Sequence, residues 1–162
     1  MSGRLPCRVL NAAAADGNCL KLNRRLEVNT VTRREAREQA FVIIFEKSIN
    51  HLSVDEILEN AKDAREFKEN EYILKTVNGV FDNLTEIDSL ISENLKGWTL
   101  SRISKVCLAV MRLCVYEMKY LDDVPDSVSI NEAVELCRKF ATEDETSYVN
   151  GVLGTVARTG AE

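Results

Sequence analysis

Between Ile103 and Met118 the chain is apolar on nearly every side of a helix, through Ile103, Val106, Leu108, Val110, Met111, Leu113, Val115 and Met118. Such a helix is stable only when neighbours cover it all round. The run is shorter than the roughly 20 apolar residues that span a bilayer, so the cover must come from the rest of the chain and not from lipid. The 162 residues, 45% hydrophobic and 29% charged, suffice for one soluble domain with a core. With 2 Pro, 7 Gly and 6% aromatic residues, a collagenous or Pro-rich chain is excluded and a strand-rich barrel is disfavoured.

The covering elements read as further helices. Thr32-Arg33-Arg34-Glu35 is a capping box, after which Ala36, Ala40, Ile43 and Ile44 recur at helical spacing, with Phe41 and Phe45 widening the stripe. Ser53-Val54-Asp55-Glu56 starts a shorter helix carrying Ile57, Leu58 and Ala61. Ile73, Val77, Val80, Leu84, Ile87 and Ile91 alternate by four and three, the seam of one longer bundle helix. Gly97 and Trp98 break that pattern, and Thr99 or Ser101 can cap the central helix. Ser129-Ile130-Asn131-Glu132 reads as a third capping box, leading into Ala133, Leu136, Cys137 and Phe140. A last helix, capped by Asp144, uses Val149, Val152, Leu153 and Val156. Asn78-Gly79 and Asn150-Gly151 both fall inside helical periods, where a glycine can admit a neighbouring helix or a ligand backbone. The expectation is an all-α fold of six or seven helices without a convincing strand, over residues 32–158, with a basic leader over 1–31 and a tail over 159–162.

Charge is unevenly placed. Residues 1–37 hold eight basic and three acidic side chains, and the remainder 13 basic and 23 acidic, so the net −5 conceals an acidic body with a basic front end. The leader shows no sustained period and reads as mobile. Its Ala12 to Ala15 run is too short for a signal-peptide core, although its arginines also suit an organelle transit peptide. Five cysteines without a C-x-x-C pair and a single histidine, His51, argue against a zinc site or a disulfide framework. Buried thiols in a reducing compartment, and hence a cytoplasmic setting, are expected. Phosphate-loop, dinucleotide, zinc-protease and nucleophile-elbow signatures are absent, so binding is expected rather than catalysis, with no cofactor or metal.

Arg33, Arg34 and Arg37 share one flank of the first helix near its start. The positive end of a helix dipole disfavours cations, so something else must favour them there. An anionic ligand would gain from the arginines and from the free N–H groups of the helix terminus. Pairing with Glu35, Glu38 or the acidic body is the alternative.

Four separated blocks, Thr32-Arg33-Arg34-Glu35-Ala36-Arg37-Glu38, Met111 to Met118, Val124-Pro125 through Leu136, and Tyr148-Val149-Asn150-Gly151-Val152-Leu153, together resemble the NusB family of transcription antitermination factors. The resemblance covers about residues 32–158. It implies two three-helix bundles that bind single-stranded boxA RNA in ribosomal-RNA leader transcripts, with NusE, a small-subunit ribosomal protein, in an antitermination complex on RNA polymerase. The RNA-contact positions it carries over are Arg33, Arg34, Arg37 and Phe45 of the first helix and Ser147, Tyr148 and Asn150 of the last. The NusE surface falls on the central helix around Arg102 and Cys107. Cys107 and Leu108 stand where the family commonly has an acid and a base, and Gly154 where an acid often follows the Asn-Gly motif. Asp144 falls near the implied RNA surface, where an acid weakens phosphate binding. Arginines tracking phosphates and an aromatic face stacking on an unpaired base suit such a ligand, although Tyr148 taken alone reads as a half-buried packing residue. Two other readings remain at this level: a helical protein adaptor without RNA binding, and a stand-alone relative of the RNA-binding domain of ribosomal-RNA cytosine methyltransferases. Either a monomer or a homodimer is expected.

Overall fold

The computed structural model describes residues 31–64 and 67–160, which form seven α-helices and no strand. All of the expected leader but its last residue, with Cys7 and Cys19, and the end of the expected tail lie outside the described residues. α1 (Arg33–Ile49) starts at Thr32, whose side chain accepts the Glu35 N–H while the Glu35 carboxylate accepts the Thr32 N–H at 2.8 Å. Ser53 and Glu56 cap α2 (Val54–Ala64) in the same reciprocal way. Asn70 caps α3 (Glu71–Asp82) by accepting the Ile73 N–H at 2.9 Å, and α4 (Leu84–Asn94) follows. After a short 3-10 turn (Leu100–Arg102) come α5 (Lys105–Tyr120), α6 (Asp126–Phe140) and α7 (Glu143–Thr159).

Four local expectations change. The Ile73 to Ile91 seam is two helices, because the Asn83 N–H and side-chain amide both turn back to the Gly79 carbonyl, the latter at 2.8 Å, and its backbone (φ −109°, ψ 19°) leaves the helical region. Ser104, not Thr99 or Ser101, caps the central helix by accepting the Cys107 N–H; the Thr99 and Ser101 hydroxyls bond each other at 3.0 Å. Ser129 starts nothing: α6 already begins at Asp126, directly after Pro125 (φ −60°), and Ser129 is buried within it. Thr142 rather than Asp144 caps α7, in a box with Glu145.

α1, α3 and α5 pack mutually, as do α4, α5 and α7. The two three-helix bundles therefore share α5, with α2 flanking α1 and α6 lying on α5 and α7. That shared role explains why α5 is apolar all round: Leu108, Ala109, Val110, Met111, Leu113 and Val115 are all buried. Ile43, Ile44, Ile73, Ile87, Ile91 and Leu153 reach the core from the helices around it, each contributing about 1.5–3 kcal/mol by leaving water. At the α3–α5 crossing Gly79 lies under the Tyr116 ring, which occupies the place a Cβ would take. Gly151 has open space around it. Cys107, Cys114 and Cys137 are buried free thiols, as small hydrophobic residues are expected to be. No helix among the described residues is long and apolar enough to cross a membrane.

Candidate nucleic-acid interface

The three arginines of α1 diverge. Arg37 turns inward, its side chain only 5% exposed, and its Nε donates to both carboxylate oxygens of Glu117 on α5 at 2.9 and 3.1 Å. The Tyr72 hydroxyl of α3 donates to the same carboxylate, and Arg37 Nη1 lies 3.3 Å from Glu132 of α6. Burial works against the guanidinium charge, but Glu117 and the groups around it hold its pKa above the ordinary value. Burial, then Glu117, pushes the Tyr72 hydroxyl up. Arg37 is thus a tie between the elements of the first bundle, and the expectation that it faces RNA is corrected: a guanidinium held inside this network has no face left for a phosphate.

Arg33 and Arg34 remain outside, 45% and 67% exposed. The Arg33 guanidinium lies 4.3 Å from the centre of the Tyr72 ring, and it pairs with Asp123 in the loop before α6. Beside it a groove of about 400 Å³ runs between Asn70, Tyr72, Lys75 and Asp123. Arg34 reaches α6 only loosely, 3.4 Å from Glu135 and 4.0 Å from Glu132. Exposed pairs of this length are worth about 0–1 kcal/mol, so a phosphate can displace the carboxylates at little cost. Glu132, read in the sequence as a cap, instead faces both Arg34 and Arg37. Lys139 near the end of α6 pairs with Glu38.

Phe45 is half-buried and stacks on Phe41, which also meets Phe140. On α7, Ser147 and Asn150 are exposed and Tyr148 is half-buried. Burial raises the Tyr148 hydroxyl pKa, and the Lys96 backbone opposes it. Its ring meets Trp98, with centroids 5.8 Å apart and planes at 53°. The contacts of Arg33 and Arg34 go to α3, α6 and the loop before α6, and those of Tyr148 to the segment before α5. Trp98 and Tyr72 stand beside them, and the sequence signals neither role: Trp98 reads as an interruption of the helical period, and nothing in the sequence singles out Tyr72.

Arg102 is exposed in the 3-10 turn, as a partner surface requires. Cys107 is not: it is 2% exposed, with the free thiol of Cys137 on α6 as a neighbour. Its place in the expected partner surface is therefore corrected, because the first turn of α5 points it at α6. His51 is exposed.

The sequence pattern of the NusB family matches residues 34–158. The transcription antitermination protein NusB of Listeria monocytogenes serotype 4a (strain HCC23) is 43% identical over 125 residues, which cover 77% of this chain and 95% of that protein. Among solved structures, T. maritima NusB superposes with a TM-score of 0.72 at 33% identity, covering 80% of this chain and 92% of that one. A complex of the antitermination factors NusB and NusE with double-stranded RNA contains a chain that matches at 26% identity and a TM-score of 0.72, over 78% of this chain and 96% of that one. With the seven helices and the polar tie between Arg37, Tyr72 and Glu117 all falling essentially inside the matched span, the chain belongs to the NusB family.

Proposed function

We propose that this chain is a transcription antitermination factor that binds boxA-type single-stranded RNA of ribosomal-RNA leader transcripts together with NusE, and so keeps RNA polymerase processive in the cytoplasm. Its activity is binding, not catalysis. The observation that carries this reading is the pair Arg33 and Arg34, exposed in the first turn of α1, where the helix dipole by itself would select acids. There they meet the free N–H groups of the helix start, and together these form a site for phosphate. The relation to NusB proteins, one of them solved with NusE and double-stranded RNA, supports RNA as the class of ligand and NusE as the partner.

Titration with an unstructured oligoribonucleotide at several salt concentrations, with and without NusE, tests it. Affinity is expected to fall steeply with salt and to rise with NusE. Arg33→Ala with Arg34→Ala should lower the logarithmic salt slope by about 1.4, the release expected for two single-strand phosphate contacts. An unchanged slope would remove the arginines from the interface.

A further inference from the structure

Trp98 is the only tryptophan in the chain, and it is 53% exposed. Gly97 sets it there: its φ of +74° is a conformation that side-chain-bearing residues rarely adopt, and the space around it is open, so the glycine serves the turn and not the packing. The Trp98 ring meets Tyr148 in a tilted contact and still keeps about half of its surface in solvent.

Around this ring the charge is unlike that of the rest of the body. From Leu95 to Tyr116 the sequence holds no Asp or Glu, while Lys96, Arg102 and Lys105 are all exposed. Those three make no ion pair among the described residues, as is also true of Lys75 and Arg158, whereas Arg33, Arg34, Arg37, Arg112, Lys119, Arg138 and Lys139 are paired with acids. Of the acids that border this stretch, Glu93 precedes it in the chain and is exposed, and at the start of α7 Glu145 is engaged by Thr142 while Glu143 and Asp144 are exposed. The exposed neighbours of Trp98 in the chain, Lys96, Gly97, Thr99, Ser101 and Arg102, carry no apolar side chain.

We propose that Trp98, backed by Tyr148, is a stacking platform for an unpaired base of single-stranded RNA, with Lys96, Arg102 and Lys105 taking the flanking phosphates. An aromatic face set among unpaired cations is the arrangement that holds single strands without reading their sequence. This inference rests on the RNA-binding reading above and extends it to residues other than the arginines of α1. It assigns Arg102 to nucleic acid rather than to a protein.

Because Trp98 is unique, its fluorescence reports on this site alone. The intact chain is titrated with an unstructured oligoribonucleotide of about 12 nucleotides, within the span of single-strand sites. Affinity is read separately from the anisotropy of a label on the RNA. Tryptophan emission should be quenched in step with binding. Trp98→Ala should weaken binding by about 5- to 150-fold, the worth of one stacked base, and Trp98→Phe should restore most of it. Changing Lys96, Arg102 and Lys105 together to Gln should lower the logarithmic salt slope by about 2. RNA binding with unaltered Trp98 emission would overturn the platform while leaving the arginine site standing. Emission that answers to NusE and not to RNA would overturn it in favour of a protein contact. If the anisotropy shows no binding by the intact chain, the RNA-binding reading itself falls and the platform with it.

Discussion

Arg37 and Arg33 stand one turn apart on α1, and the sequence offers no reason to separate them. What separates them is Glu117, a carboxylate from the middle of α5 that is 1% exposed and takes both the Arg37 Nε and the Tyr72 hydroxyl. Helical geometry shows which residues share a flank; it does not show where along that flank the interior begins, because that depends on a partner eighty positions away. Arg37→Ala would leave Glu117 buried with only Tyr72 beside it, and breaking a buried pair from one side costs about 3–5 kcal/mol. Arg34→Ala removes a loose exposed pair and should change stability by less than about 0.5 kcal/mol. Urea unfolding of the two variants checks this, and equal midpoints would show that the Arg37 tie contributes nothing to the fold. A second polar tie has the same character: Arg112 grips Asp88 of α4 at 2.7 and 2.8 Å and reaches Ser48 of α1.

At the level of elements, local chemistry was legible wherever the residues that decide it are adjacent. The boxes at Thr32 and Ser53 stand where the sequence puts them, since a cap and its acid lie within one turn. Ser129 to Glu132 has the same letters and fails, because Pro125 already starts the helix and the packing of α6 buries the serine. The break at Asn83 was hidden by Leu84, which continues the apolar spacing across it. The two Asn-Gly pairs look alike in sequence and differ in the fold. Gly79→Ala should push against the Tyr116 ring and lower stability by about 1–3 kcal/mol, the usual range for overpacking. Gly151→Ala meets nothing and should raise stability by about 0.5–1 kcal/mol through helix propensity alone. Thermal midpoints moving in opposite directions are the expected result; a loss of stability at Gly151 would mean that something other than space constrains that turn of α7.

Across the whole molecule, the helix starts set how the fold responds to acid. Glu35, Glu56 and Glu145 are held below the usual carboxylate range, first by the backbone N–H groups of Thr32, Ser53 and Thr142 that they accept. Their contribution is thus present above the unfolded carboxylate value of about 4.3 and is lost as pH falls through the lower folded values. Urea midpoints should drop on acidification below about pH 4.3, and changing all three to Gln should reduce stability at neutral pH while flattening that acid limb; an equally steep limb in the variant would place the proton uptake elsewhere. The candidate site was legible only in part, since Arg33 and Arg34 stood out by their own chemistry, Tyr148 entered through the family resemblance, and Trp98 needed its neighbours in space. The sharing of α5 reaches furthest. Translation must proceed through Tyr120 before the strip that completes α1 with α3 exists, and that same strip is what α4 and α7 close upon. Neither half can then be excised as a self-sufficient fragment: a cut between α4 and α5 would yield an amino-terminal piece with an open apolar trough, dependent on the other piece for its missing wall.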